Sequence, residues 1–467
     1  MPDVENQLPS TFISKLVEFV GKENVLTEKN ECWNYGYDNS RGHALPQAVV
    51  FAVTHSQVLS IIILCNEYNI PLTTRGRGTG TTGATVPLHA GLVLSLERMN
   101  KILRIDPANR LIVAQPGVTN QEIQVAAGEH GFFWPPDPTS AAFCSIGGNL
   151  AYNSAGPRAV KYGTPRDNVL GLRVVSGAGK ELRTGTFTTK GVVGYDLTRL
   201  IIGSEGTLAI ITEATLKLTP LPASKRTMRV VYSDILSASQ AVAAIMAQPV
   251  TPCALEFIDH AAIEMIRNFS TATLPENAGA LLMIEVDGPK SAMNDAVQSI
   301  REAATNNGLL NFDEATSADE IAALWATRKA LSPALRKVAP KKINEDVVVP
   351  VSHIPELING LETLAHQYGI NIVNFGHAGN GNIHVNLLVD PDDPVQMQAA
   401  HQCLDEVFTL VLKLEGSLSG EHGVGIEKRD YIARELDEHS LELMLAIRQQ
   451  FDPNKILNQD KTLPVSQ

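Results

Sequence analysis

Two histidines, and a Glu-His pair further along, are the side chains of this chain best suited to making and breaking bonds. They stand in Phe375-Gly376-His377-Ala378-Gly379-Asn380-Gly381-Asn382-Ile383-His384 and in Gly420-Glu421-His422-Gly423-Val424-Gly425. Imidazole nitrogens and a carboxylate oxygen suit a divalent metal, and three protein ligands with an open position make a catalytic site. A spare histidine can then move a proton. The same donors can activate water, so a metal-dependent hydrolase is one reading of these residues. The plainer alternative is a hydrogen-bonded histidine pair flanking a turn.

Residues 371–377 and 382–389 read as strands, and Ala378-Gly379-Asn380-Gly381 between them has the composition of a hairpin turn. In the second strand His384 and Asn386 share one face, while Ile383, Val385 and Leu387 point to the other and pack. The glycines around Glu421 and His422 permit a backbone that presents both side chains.

Upstream, 11–20 reads as an amphipathic helix. Residues 48–53, 56–68 and 70–74 form a β-α-β unit, with Pro71 starting its last strand or placing it at an edge. From 90 to 218 short apolar runs alternate with Gly, Pro, Asn and Asp, which predicts an α+β domain whose sheet has mixed pairing. Pro220-Leu221-Pro222-Ala223 marks a boundary. Beyond it, strand, helix and strand over 225–232, 237–247 and 253–258 are repeated over 280–286, 291–305 and 309–315, the order of a ferredoxin-like domain. The expected division is therefore 1–221, 222–425 and a helical segment 426–467.

A length of 467 residues exceeds one ordinary core, and 44% hydrophobic with 5% aromatic residues describes a globular protein. A net charge of −12 argues against a nucleic-acid partner, although Arg336-Lys337 and Lys341-Lys342 form a local basic stretch. The five cysteines, Cys32, Cys65, Cys144, Cys253 and Cys403, include no Cys-x-x-Cys pair and fit a reducing cytoplasm. Residues 1–6 lack the basic start and apolar core of a signal peptide, and no apolar run is long enough to span a bilayer.

Gly78-Thr79-Gly80-Thr81-Thr82-Gly83 matches the dinucleotide fingerprint, but Ala84-Thr85-Val86-Pro87 follows where a long helix is required. What remains in Arg75-Gly76-Arg77-Gly78-Thr79-Gly80 is a run whose amides can converge on phosphate oxygens, with arginines adding charge. Pro138-Thr139-Ser140, Ile146-Gly147-Gly148-Asn149 and Asn153-Ser154-Ala155-Gly156 offer the close backbone approach that a large planar cofactor needs, and Gly203-Ser204-Glu205-Gly206 adds a third small-residue turn.

From about residue 40 onward these segments, in this order, resemble the vanillyl-alcohol oxidase and p-cresol methylhydroxylase flavoprotein superfamily. With the two histidine-bearing segments the chain looks specifically like the FAD-linked D-2-hydroxyacid dehydrogenase branch, which contains D-lactate, glycolate and D-2-hydroxyglutarate dehydrogenases. The resemblance implies an α+β FAD-binding domain, a ferredoxin-like cap and a C-terminal segment that packs back on the FAD domain. It implies that Arg75, Gly76, Arg77, Gly78, Thr79 and Gly80 wrap the FAD pyrophosphate. Pro138, Thr139, Ser140, Gly147, Gly148, Asn153 and Gly156, with Glu205, Gly206 and Ile210, would line the cofactor. The stretch 73–83 has no His or Cys for a covalent flavin link, so the FAD is expected to be noncovalent.

By the same resemblance His377, His384 and Glu421 ligate a divalent metal, zinc first, with manganese or iron accepted by the same donors. His422 is then the base that takes the hydroxyl proton of a D-2-hydroxy acid, Asn386 orients substrate and Arg328 meets its carboxylate. Ser332 occupies the position of a substrate-binding hydroxyl. Asn344 falls where relatives that act on D-2-hydroxyglutarate have lysine, with Lys342 two residues away. That departure favours a small monocarboxylate such as D-lactate, with glycolate and D-2-hydroxyglutarate as alternatives. Asn458-Gln459-Asp460-Lys461 departs from the family's Asn-Pro-Gly-Lys, so Asn458 is assigned no role. The expected partners are the hydroxy acid and an electron acceptor, whether quinone, cytochrome or electron-transfer flavoprotein. A homodimer, association with the inner membrane surface and a noncatalytic flavin-carrying subunit all stay open.

Overall fold

Helix caps and apolar runs set the N-terminal elements. Thr54 caps the helix His55–Tyr68: its hydroxyl accepts from the Gln57 amide at 3.3 Å, and the Gln57 side chain accepts from the Thr54 N–H at 3.2 Å. This reciprocal arrangement satisfies two end donors. The helix Ser10–Val20 buries Phe12, Leu16 and Val20, one turn apart. Both helices share a core with Val50, Leu72, Leu92 and Leu94.

The computed structural model describes residues 7–267, 274–315 and 317–464. The opening stretch 1–6 and the side chains of Ser332, Arg336 and Lys337 lie outside the described residues. The chain divides into two compact units. The first holds the residues through Ala155, Gly163–Leu221 and those from Glu421 on; the second holds Gly156–Tyr162 and Pro222–Gly420. The chain thus changes unit at Leu221, inside the proline-rich stretch. Two details differ from the expected division. Residues 156–162 group with the second unit, and the C-terminal segment groups with the first unit from Glu421 rather than from 426.

In the first unit β1 (Val25–Leu26), β2 (Ala48–Phe51), β3 (Leu72–Arg75) and β4 (Leu92–Ser95) form a sheet in the order β1-β2-β4-β3. The last three strands are parallel, and β3 begins directly after Pro71. The chain continues through β5 (Ile102–Asp106), β6 (Leu111–Ala114), β7 (Phe132–Phe133), β8 (Val169–Ser176), β9 (Glu181–Gly185), β10 (Ala209–Lys217) and β11 (Thr219–Pro220). A five-stranded sheet runs β5-β6-β10-β8-β9, and β7 pairs with β11. Every pair in the five-stranded sheet is antiparallel, which corrects the expected mixed pairing. β5 and β6, and likewise β8 and β9, are joined by turns too short for a parallel crossover.

In the second unit β12 (Ser224–Tyr232), β13 (Ala254–Asp259), β14 (Ala280–Gly288) and β15 (Leu309–Ala315) lie in the order β15-β12-β14-β13, as in a ferredoxin-like sheet. β16 (Lys341–Val348), β17 (Asn371–His377) and β18 (Asn382–Val389) extend it to seven strands through β13-β17-β18-β16, with all pairs antiparallel. The helices His260–Arg267 and Ala318–Val338 pack on one face, where Leu331 and Leu335 meet Val231, Ile258, Met283 and Phe375. Among the described residues no helix is long and apolar enough to cross a membrane.

Candidate functional site

A cavity opens in the first unit, walled in part by glycines. Gly76 after β3, Gly147 and Gly148 in the helix Ile146–Tyr152, and Glu205, Gly206 and Ile210 at the start of β10 all line it. The wall needs glycine at 147, because a Cβ there would lie 2.5 Å from the Cβ of Pro116. Thr74 also lines the cavity, and its Oγ1 is buried with no hydrogen-bond partner among the described residues, as suits a wall meant to meet a ligand.

The other predicted cofactor residues, Arg77, Gly78, Thr79, Gly80, Pro138, Thr139, Ser140, Asn153 and Gly156, are not in this wall. The Asn153 carboxamide accepts from the Arg166 amide at 3.1 Å, and Gly156 belongs to the second unit. Arg75 corrects the expectation of a phosphate-binding side chain. Its buried guanidinium donates to the carbonyl of Tyr37 at 2.5 Å and to Thr85 Oγ1 at 3.3 Å, so it props the loop. Burial pushes its pKa down, with Asp38 opposing.

Sequence reasoning missed Asn458 and Tyr152, which also line the cavity. Asn458 Nδ2 donates to the carbonyl of Glu205 at 2.6 Å, and its Oδ1 accepts from the Thr74 amide at 3.1 Å, joining two wall segments. The asparagine of the family's tail motif was the available signal.

Glu205 connects this wall to the Glu-His segment of the same unit. Its carboxylate accepts from the amides of Val424 at 2.7 Å and Gly425 at 2.8 Å, two and three residues after His422. Burial pushes the Glu205 carboxyl up to about 7, opposed by those amides and by Lys461. Thr82 Oγ1 donates to the main-chain carbonyl of His422 at 3.3 Å. Glu421 is held likewise: its carboxylate accepts from the Ala155 amide at 3.3 Å and its carbonyl from Ser154 Oγ at 3.1 Å.

In the second unit the predicted hairpin is present. Ala378–Asn380 forms a 3-10 turn, and Gly381 closes it at φ 74° with its Cα so near Val349 that a Cβ would overlap the Val349 carbonyl. The turn brings the buried rings of His377 and His384 to 5.2 Å between centroids, edge to face at 84°. On β16 Asp346 pairs with His384 and Asn344 with Asn386. Asp346 also accepts from the Gly420 amide at 3.0 Å.

A carboxylate not foreseen from sequence backs the histidines. Glu256 on β13 is 1% exposed; one oxygen lies 2.5 Å from His377 Nδ1, and the other accepts from Arg328 Nε at 2.7 Å. Burial alone would raise its pKa, but His377 and Arg328 hold it below the usual carboxylate range. Arg328 stacks over Phe375 at 4.8 Å. The only hint in the sequence is one acid inside the apolar run Ala254-Leu255-Glu256-Phe257-Ile258.

Asn386 corrects another expectation. Its side chain is fully buried, with Nδ2 donated to the carbonyls of Val373 at 3.0 Å and His384 at 3.1 Å and Oδ1 accepting from Asn344 Nδ2 at 2.6 Å. It is a cross-strand tie that engages both amide hydrogens. Lys342 is half-buried on the Asn344 face of β16, and Ser332 lies in the helix Ala318–Val338.

Residues 46–185 match the family described as FAD binding domain, and residues 221–462 match FAD linked oxidases, C-terminal domain. The chain is 37% identical over 448 residues to glycolate oxidase subunit GlcD of Bacillus subtilis (strain 168), covering 96% of this chain and 95% of that one. It is 32% identical over 465 residues to D-lactate dehydrogenase of Anaerostipes hadrus, covering 98% of each. Among solved structures, p-cresol methylhydroxylase with substrate bound superimposes with a TM-score of 0.79 at 19% identity, covering 97% of this chain and 96% of that one. For 4-ethylphenol oxidase from Gulosibacter chungangensis the TM-score is 0.77 at 18% identity, covering 98% and 99%. These two likenesses are of fold. With matched segments in both units and a relative at 37% identity over nearly its whole length, the chain belongs to the FAD-linked oxidase family and is an FAD-linked oxidoreductase with the vanillyl-alcohol-oxidase type of fold.

Proposed function

We propose that this enzyme oxidises a small 2-hydroxy monocarboxylate, D-lactate or glycolate, to the 2-oxo acid, using noncovalent FAD and a divalent ion, zinc first. The observation that carries the reading is the pair of buried imidazoles 5.2 Å apart, one backed by a carboxylate, in a chain that also holds a glycine-walled cavity. When bound, FAD supplies a hydride acceptor, and the ion lowers the pKa of the substrate hydroxyl.

His377, His384 and Glu421 hold the ion in this reading. Support comes from the donor chemistry of two imidazoles and a carboxylate, and from the pairing of the two histidines in one hairpin. Arg328 meets the substrate carboxylate, with Ser332 beside it on the same helix. His422 takes the hydroxyl proton at an imidazole nitrogen, and the Glu205 clamp on Val424 and Gly425 keeps that segment in place. A second carboxylate would find no cation at 344, where Asn344 is neutral and bonded to Asn386, so Lys342 is the remaining candidate for a longer acid. The relative named glycolate oxidase subunit supports glycolate beside D-lactate. Five buried, unpaired thiols support a reducing cytoplasm, including its membrane surface, and electrons then pass to a quinone, cytochrome or electron-transfer flavoprotein.

Turnover with an artificial acceptor dye tests the substrate class. The kcat/KM for D-lactate or glycolate is expected to exceed that for D-2-hydroxyglutarate about tenfold or more. A preference for the dicarboxylate would overturn the proposal.

A further inference from the structure

Glu256 lies on the same sheet face as His377, since Phe257 pairs with Gly376. Each carboxylate oxygen has one partner: Oε1 faces His377 Nδ1 at 2.5 Å and Oε2 faces Arg328 Nε at 2.7 Å. Arg328 is in turn seated on the Phe375 ring at 4.8 Å, so the carboxylate is gripped from both ends in a buried setting. An ionised carboxylate only accepts hydrogen bonds. In the neutral ring the proton must therefore sit on His377 Nδ1, which leaves Nε2 as the nitrogen with the lone pair.

We infer that Glu256 is a positioning residue that selects the metal-binding tautomer of His377, with Arg328 locking the carboxylate in place. The inference rests on the proposed metal site. It gives Arg328 a second task besides meeting substrate, because the same guanidinium fixes the residue that fixes the ligand. It also accounts for a buried charge pair that adds no apolar packing and would otherwise only carry a desolvation cost.

Glutamine at 256 cannot satisfy both partners. With its oxygen toward His377, its NH₂ meets the Arg328 N–H donor; flipped, its NH₂ makes Nδ1 an acceptor and moves the imidazole proton to Nε2. Glu256→Gln is expected to weaken zinc or manganese binding, measured by competition with a chelator, about 10- to 100-fold with flavin content unchanged. Binding as tight as in the unsubstituted protein would overturn the role of Glu256 and leave the metal site standing. No uptake of either ion by the unsubstituted protein would sink the metal site itself. A second measurement reads the tautomer with Glu256 in place. The ¹⁵N spectrum of histidine-labelled, metal-free protein, assigned by loss of signal in His377→Gln, is expected to show Nδ1–H for His377. The Nε2–H tautomer would overturn the inference.

Discussion

Replacing His422 with alanine is expected to lower turnover about a hundred- to ten-thousandfold, with flavin content and metal content unchanged. The size follows from the loss of a positioned general base at the step where the hydroxyl proton leaves. The selectivity follows from how the segment is held. Its contacts with Thr82 and Glu205 are made by main-chain atoms of His422, Val424 and Gly425, and none needs the imidazole. The cavity wall does not include His422 either, so flavin retention has no reason to change. Stopped-flow reduction and steady-state turnover, beside flavin and metal analysis of the same sample, check both halves. Near-normal turnover would remove His422 from the mechanism, while loss of flavin would mean the side chain is structural.

Taking away the ion is expected to have an effect of similar size. Chelation, or His384→Ala, should cost several kcal/mol of transition-state stabilisation, about a thousandfold in rate. Added zinc or manganese should restore the chelated enzyme but not the variant. The visible spectrum of the bound flavin should persist through both treatments, since His384 does not line the cavity. His384→Ala also removes a ring packed beside Phe375, with centroids 5.9 Å apart, so a modest drop in melting temperature is expected with it. Full activity in a metal-free sample would show that the hydroxyl needs no Lewis acid here.

Periodicity made the histidine hairpin legible. Alternation in 382–389 placed His384 and Asn386 on one face of β18, and the glycine-rich turn set the adjoining strand ends. What it could not show is that Asn386 faces a second asparagine across the strand pair and is bonded to it, because Asn344 reaches that register through a separate strand. Glu256 was hidden for a similar reason. It stands more than a hundred residues before His377, and only the β13-β17 pairing brings the two together. Each of the three glycine-rich runs puts a glycine in the cavity wall, Gly76, Gly147 with Gly148, and Gly206, while most of their other residues lie outside it. The use of Arg75 was not legible, since nothing in its loop reveals that the Tyr37 carbonyl approaches from behind. The five-stranded sheet was misjudged because short apolar runs carry no mark of strand direction; that is set by connection length, which leaves β5-β6 and β8-β9 only a hairpin.

Mixing the anaerobic enzyme with D-lactate while following the flavin band near about 450 nm tests the central claim most directly. The account predicts that D-lactate bleaches the band and that L-lactate leaves it unchanged. A colourless protein that cannot be reconstituted with FAD, or a band indifferent to both D-lactate and glycolate, would contradict it.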